Sequence, residues 1–429
     1  MSIPPVPVGT ARIAYIVSRY PAPSHAFISR EVRALRALGA TIETFSIRRS
    51  ADADVLSAAD ESARATTYSI LPPRIFHLLV AHLRALLTHP LRYVATLLLA
   101  LRMSAPGLRG RLWHVFYFVE AIIFWRECVR RQVHTIHAHF ANVAADVALL
   151  TAHFGTGNRR SSQAPWSWSF TMHGPTEFSD VEGHRLADKI RRASRVVCVS
   201  DFCRSQLMGL VGEEEWSKLT VVHCGVDPGE FPATAQTAES GEPVQVLAVG
   251  RLVPVKGHAV LLEALAELAR RDVFVRATIV GDGPLRATLE RSAERLGLDS
   301  RITFAGAVGQ DRIHAYYAKA DVFCLPSFAE GLPVVLMEAM ATGIPVVASR
   351  IMGVPELVED GVSGILVRPG RADELARALE ILVAAPRLRE SLGEAGRATV
   401  RAEFDVNRCA SELKETFAAR SREHAVLAG

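Results

Sequence analysis

Lysine is scarce in this chain: five residues against 44 arginines in 429. A lysine that falls inside a motif is therefore hard to assign to background surface charge. Cysteine is also sparse. Cys128, Cys198, Cys203, Cys224, Cys324 and Cys409 form no Cys-x-x-Cys pair and no ligand-like spacing with histidine. A chain this long needs no disulfide staples, so the cysteines read as buried free thiols in a reducing compartment. Long apolar runs are missing as well. Ile75–Leu101 is interrupted by Arg84 and Arg92, and the apolar stretch Leu112–Trp125 is short and carries Glu120. A membrane-spanning helix needs roughly 20 mostly apolar residues, so none is expected. Residues 1–10 are polar and proline-rich, and Arg12–Val17 already reads as a strand, so no signal peptide is expected either. With 29 glycines and 22 prolines the chain is too poor in both for a fibrous or low-complexity protein.

Charge is informative only when resolved along the chain. The total is +4. Between Pro72 and Arg131 lie nine arginines, no lysine and two glutamates, a local +7. The remainder is slightly acidic, which argues against a generally nucleic-acid-seeking protein. The basic stretch is also the most hydrophobic one. Trp113, Phe116, Tyr117, Phe118, Phe124 and Trp125 sit between Arg109 and Arg111 on one side and Arg126, Arg130 and Arg131 on the other. Two readings remain open here. One is a helical insertion packed into its domain with solvated arginines. The other is a set of helices lying on an anionic membrane surface.

Elsewhere short apolar runs alternate with segments of helical period, which indicates parallel βαβ units. Strands are expected at 12–17, 41–46, 134–137, 166–171, 195–199 and 219–222. After a linker without large apolar residues at 236–243 they resume at 244–249, 275–280, 301–305, 321–325, 345–348 and 364–367. The fold class is therefore α/β with two doubly wound, Rossmann-like domains: 1–235 with the insertion 72–131, and 244–404. A last helix, 405–429, is expected to return to the first domain. Ligands of such sheets bind at the carboxyl ends of the strands, which points to a cleft between two such domains.

Three strand-to-helix loops in the second half carry chemistry. Ser327-Phe-Ala-Glu330-Gly331-Leu332-Pro333 follows an apolar strand and precedes a helix containing Glu338. Gly331 permits close backbone approach, and a helix start opened by proline offers free N–H groups to phosphate. Glu330 can reach hydroxyls. Glu338 either accepts hydrogen bonds from a diol or lies on a solvated face. Gly250-Arg251-Leu-Val-Pro-Val-Lys256-Gly257 places two cations about a glycine turn, as a diphosphate requires. Gly281-Asp282-Gly283-Pro284 suggests a dinucleotide fingerprint, but Arg286 stands where the third glycine belongs, so NAD is disfavoured.

Taken together, these loops resemble the second domain of family-four retaining glycosyltransferases, which have the GT-B fold. Glu330 and Glu338 match that family's Glu-x7-Glu element. The resemblance implies that Arg251 and Lys256 hold the donor diphosphate, that Glu338 binds the ribose, and that Glu330 contacts the transferred sugar. Gly331 and Leu332 would offer backbone amides, with Gly250, Gly281 and Ser327 completing the donor site. The likeness extends into the first half. Tyr20-Pro-Ala-Pro-Ser24-His25-Ala-Phe27-Ile28 looks like the Pro-x-x-Ser-Glu-Thr-Phe-Ile loop of the exopolysaccharide and colanic-acid subgroup, with His25 and Ala26 replacing Glu and Thr. His137-Ala-His139-Phe140 matches a His-x-His-Phe segment. His173, after Thr171-Met, matches a histidine that contacts the transferred sugar. Gly225-Val-Asp227 resembles a loop that closes the first domain. Ser24, His25 and His139 are accordingly the acceptor-side candidates, and Glu330, His173, Arg251 and Lys256 the catalytic ones.

The implied function is a retaining, metal-independent transfer of a hexosyl-type sugar from a nucleotide-diphosphate sugar to a glycan or lipid-linked acceptor, in surface polysaccharide assembly. No cofactor is implied beyond the donor. The implied location is cytoplasmic, with peripheral contact on the inner membrane face through 72–131. His137 and His139 lack partners for a metal set, and Asp52-Ala-Asp54 reads as a solvated loop. No carboxylate pair is placed as glycoside hydrolysis needs. The alternatives are another GT-B enzyme such as a nucleotide-sugar epimerase, or a catalytically silent nucleotide-binding subunit.

Overall fold

The computed structural model describes residues 12–73, 75–156, 166–233 and 242–428. The chain forms two units. The first runs to Val222 and takes in the chain from Ala410 onward, and the second is His223–Cys409.

In the first unit seven strands make one parallel sheet: β1 (Arg12–Arg19), β2 (Thr41–Arg48), β3 (Tyr68–Leu71), β4 (Thr135–His139), β5 (Ser167–Met172), β6 (Val196–Cys198) and β7 (Leu219–Val221). The order across the sheet is β3-β2-β1-β4-β5-β6-β7. The order reverses between β1 and β4, the switch point where open α/β sheets bind ligands. Strand β1 reads Ile-Ala-Tyr-Ile-Val, with every residue from Ile13 to Val17 buried, as a strand covered on both faces requires. β3 is an addition to the strands expected from sequence. It is four residues long, and only Ile70 is buried. Its place is fixed by parallel pairing with β2 and by the Arg131 guanidinium over the Tyr68 ring at 5.7 Å, neither of which local periodicity reveals.

The stretch joining β3 to β4 holds three helices, Ile75–Thr88, Pro90–Met103 and Leu108–Arg130. The carboxyl half of the third is core. Phe124 meets Phe45 at 4.8 Å between ring centroids, and Trp125 meets Phe154 at 4.8 Å. Phe118, Ile122 and Cys128 are also buried there. Packing inside the unit thus accounts for half of the aromatic run, while Trp113 and Phe116 stay exposed.

The second unit repeats the plan with six parallel strands: β8 (Val244–Val249), β9 (Val275–Val280), β10 (Ile302–Gly306), β11 (Val322–Leu325), β12 (Val346–Ser349) and β13 (Ile365–Val367), ordered β10-β9-β8-β11-β12-β13. Its switch point lies between β8 and β11. The helix His258–Arg270 buries Leu261, Leu262, Leu265 and Leu268 on one face against this sheet. Each such leucine contributes about 1.5–3 kcal/mol by leaving water. Helix Val334–Thr342 ends on Gly343 at φ +84°, a left-handed cap that glycine adopts without strain.

The boundary between the units falls at His223, earlier than the linker 236–243, most of which lies outside the described residues. The loop after β7, expected to close the first unit, belongs to the second. Val406 N–H donates to the Val226 carbonyl at 2.9 Å, Val226 N–H donates to the Phe404 carbonyl at 3.0 Å, and Phe231 packs edge-on against Tyr317. The final helix, Val406–Ala428, passes into the first unit at Ala410. There Lys414 Nζ donates to the Leu38 carbonyl at 2.6 Å, and the Phe417 ring lies 5.1 Å from that of His137.

Candidate functional site

In the second unit the three sequence loops converge at the carboxyl ends of β8, β9 and β11. Gly250 N–H donates to the Val280 carbonyl and Leu252 N–H to the Asp282 carbonyl, which ties the loops after β8 and β9 together. Phe328 N–H donates to the Val255 carbonyl at 2.8 Å and joins the loop after β11 to them. Two glycines make this approach possible. A Cβ on Gly257, at φ +64°, would stand 2.0 Å from the Pro326 carbonyl oxygen, and one on Gly281 would stand 2.0 Å from that of Gly250. Any side chain at either position would force the loops apart.

The charged groups follow from that frame. The Lys256 stem runs past Gly250, whose Cβ would meet Lys256 Cδ at 3.6 Å. Its ammonium donates to Glu330 Oε1 at 2.6 Å. Ser327 Oγ, fully buried, donates to the same oxygen at 2.6 Å. Glu330 is thus held from two sides while Lys256 remains part-exposed. Arg251 is exposed on the same loop. Leu332 is buried, and Pro333 caps the helix that follows. Glu338 lies inside that helix at 2% exposure and accepts from the Tyr317 hydroxyl at 2.8 Å, so it is not on a solvated face. Beneath the loop after β8, burial first and the Lys256 charge second lower His258 to about 4, which keeps its imidazole neutral.

The first unit gathers a different set at its own switch point. His139 ends β4, His173 follows β5, and His25 closes the turn Pro23–His25 after β1. His139 Nδ1 and His173 Nε2 share one proton position at 3.0 Å. Phe27 and Phe140 cover His173 at ring separations of 4.8 and 4.6 Å. Burial pushes His173 well below its usual value, and His139, His25 and His137 add to the shift. His25, bonded through Nδ1 to the Arg19 carbonyl at 3.0 Å, is lowered to about 4, chiefly by burial. Ser24 lies in the same turn, with its side chain outside the described residues. His137 is bonded to Ser169 and Thr171 through both ring nitrogens and is a satisfied core residue.

Sequence reasoning missed Glu177, Glu31 and Tyr15. Glu177 accepts from the backbone N–H groups of His173 at 3.0 Å and Gly174 at 3.1 Å, and also from that of Ala141, which fixes the ends of β4 and β5 together. Burial raises Glu177 to about 7 against those donors and Lys189. Glu31 Oε1 accepts from the Tyr15 hydroxyl at 2.8 Å and faces His139 Nε2 at 3.4 Å. Nothing local marks either glutamate, because their partners come from distant segments. Asp52 and Asp54 pair with Arg64 and Arg19 in a short turn. Among the described residues no group of three or more His, Cys, Asp or Glu side chains converges as metal ligands would.

Residues 232–399 match the family described as Glycosyl transferases group 1. The second unit is a group 1 glycosyltransferase domain. Curated relatives agree with this assignment. A GDP-mannose-dependent alpha-(1-6)-phosphatidylinositol monomannoside mannosyltransferase of Mycolicibacterium smegmatis is 36% identical over 48% of this chain and 57% of its own. The amylovoran biosynthesis glycosyltransferase AmsK of Erwinia amylovora is 36% identical over 46% and 50%. A putative colanic acid biosynthesis glycosyltransferase, WcaL, of Salmonella typhimurium is 37% identical over 44% and 47%. The chain spans about half the length of the curated relatives it matches. Anabaena Alr3699/HepE in complex with UDP aligns over 95% of this chain and all of that one, with a TM-score of 0.69 at 20% identity, which places both units in the GT-B fold.

Proposed function

We propose that the protein is a retaining glycosyltransferase that moves a sugar from a nucleotide-diphosphate sugar to a glycan or lipid-linked acceptor of surface polysaccharide, on the cytoplasmic side of a membrane. The observation that carries the reading is the Lys256–Glu330 pair, fixed by Ser327 at the β8/β11 switch point of a group 1 domain. Cleaving the sugar–phosphate bond leaves negative charge on the diphosphate. Lys256, Arg251 and the amides around Gly331 and Leu332 stabilise it without a metal. Glu338, oriented by the Tyr317 hydroxyl, receives the ribose hydroxyls. Glu330 positions the transferred sugar, and His173 contacts it as a neutral imidazole. The acceptor hydroxyl attacks from the face the phosphate leaves, with the departing phosphate taking its proton. The protein's own contribution is orientation and charge stabilisation.

A thermal-shift screen over nucleotide sugars, followed by measurement of nucleoside diphosphate release, tests this. One donor should raise the melting temperature and be turned over, Glu330→Ala should abolish release, and excess EDTA should leave it intact. Donor binding with no turnover in any acceptor extract would instead favour a silent nucleotide-binding subunit.

A further inference from the structure

Of the nineteen large hydrophobic side chains exposed among the described residues, fourteen fall on the three helices between β3 and β4. The other five are scattered over the second unit. On the first helix Ile75, Phe76, Leu79, Leu83 and Leu87 follow a helical stripe, with Ile75 77% and Phe76 73% exposed. Leu91, Val94 and Leu98 continue it at i, i+3 and i+7 on the second helix. Leu108, Leu112 and Phe116 repeat it at i, i+4 and i+8 on the third. On that third helix the stripe is confined to the amino-terminal half, because the other half, Val129 apart, packs its large apolar side chains into the core. A soluble surface rarely leaves so contiguous an apolar face uncovered.

Charge decides what covers it. The first two helices contain no acidic residue. On the third, Glu120 is buried, and Glu127 is engaged by Arg130 and Arg131. Arg84, Arg102, Arg109 and Arg111 are exposed beside the apolar stripe. A second copy of the chain would bring like charges together over this face. An anionic lipid leaflet offers both hydrocarbon for the stripe and counter-charge for the arginines. None of the described helices is long and apolar enough to cross a bilayer. The first has 14 residues, about 21 Å long, short of the ~30 Å hydrocarbon core, so the helices lie in the interface.

We infer that these three helices form a monotopic docking face for an anionic membrane, with Ile75, Phe76, Leu79, Leu83 and Leu87 as the inserted ridge. The first helix starts directly after the carboxyl end of β3, so the ridge begins on the same edge of the sheet as His25, His139 and His173. β3 stands three strand spacings, about 14 Å, from β4. A leaflet held there keeps a lipid-linked acceptor within reach of the histidines. That purpose rests on the proposed transfer, whereas the docking does not.

Co-sedimentation of the full chain with phosphatidylcholine vesicles, with and without phosphatidylglycerol, tests it without any enzymatic readout. The wild type should partition to the anionic vesicles, and less so as salt rises. The four-site variant Phe76→Ser, Leu79→Ser, Leu83→Ser, Leu87→Ser changes only exposed side chains and should keep its fold by circular dichroism. Its partitioning should fall about 100-fold or more. Arg84→Glu, Arg109→Glu, Arg111→Glu should lose about 10- to 100-fold on anionic vesicles and little on neutral ones. Anionic partitioning unchanged by the serine variant overturns the inference. So does a wild type that ignores vesicles but forms a dimer that the serine variant dissolves. Because no transfer is measured, failure here leaves the transfer reading standing, and an inactive enzyme that still binds vesicles leaves the docking face standing.

Discussion

Both units use the same sheet order and place side chains at the same switch point, yet they collect opposite chemistry there. The second unit presents a cation, Lys256, against a carboxylate that Ser327 holds in place, with loops brought close by Gly257 and Gly281. The first presents His173 and His25, two imidazoles that burial keeps neutral, walled by Phe27 and Phe140. Fixed positive charge beside a helix start suits a diphosphate. Neutral imidazoles, which both donate and accept, suit hydroxyls. The scaffold is shared, and the chemistry each switch point offers is set by what the loops add to it.

The largest effect that can break this comparison is at Lys256. Lys256→Ala should lower kcat by about 10²–10³-fold, the usual cost of deleting one preorganised charge-stabilising donor. His173→Ala should cost about 10- to 100-fold, the worth of a hydrogen bond made in a dry site, and should leave nucleoside diphosphate affinity unchanged by calorimetry. If His173→Ala weakened nucleotide binding as much as Lys256→Ala does, the division between charge-binding and hydroxyl-binding units would be wrong.

A smaller effect concerns stability. Glu120 is buried, its Oε2 lacks a hydrogen-bond partner, and burial raises it to about 7. A carboxyl whose folded value lies above its unfolded one favours folding while protonated, and that contribution is lost as pH rises from about 4.5 through about 7. Glu120→Gln should therefore stabilise the protein more at pH 8 than at pH 5, by about 2–3 kcal/mol. Thermal melts of both proteins at the two pH values decide the sign. An equal effect at both would mean that Glu120 is not held protonated.

How much was legible in sequence follows the same division. The three loops of the second unit could be read because each is a contiguous strand–loop–helix segment whose glycines, proline and cations stand within a few residues of one another. The alternation of strands and helices was legible for the same local reason. β3 was not, because it is a short, half-buried edge strand held by pairing with β2 and by Arg131, more than 60 residues from Tyr68 in the chain. In the first unit the histidines could be named, but not what fixes them. Glu177 binds backbone from two strand ends, and Glu31 reaches His139 from another helix. The insertion showed its charge and its aromatic content in sequence. Which half is core and which half is surface depended on packing against Phe45 and Phe154.

The finest test of the comparison lies behind His173. With one proton position between His139 Nδ1 and His173 Nε2, the two rings can be arranged in two ways. In one, His173 donates to His139; in the other, it accepts. A carboxylate facing His139 Nε2 favours a proton on that nitrogen, which leaves Nδ1 to accept from His173. The Tyr15 hydroxyl, donating to the same Glu31 oxygen, holds the carboxylate in that position. Glu31→Gln removes the preference, because an amide can present either its oxygen or its nitrogen. The expected result is a loss of about 3- to 10-fold in kcat with the donor KM unchanged, together with a mixture of His173 tautomers in nitrogen NMR where the wild type shows one. Tyr15→Phe keeps the carboxylate and should retain the single tautomer. If Glu31→Gln leaves the tautomer unchanged, burial alone sets the state of His173. The first unit would then work by excluding water, without a preset direction of hydrogen bonding.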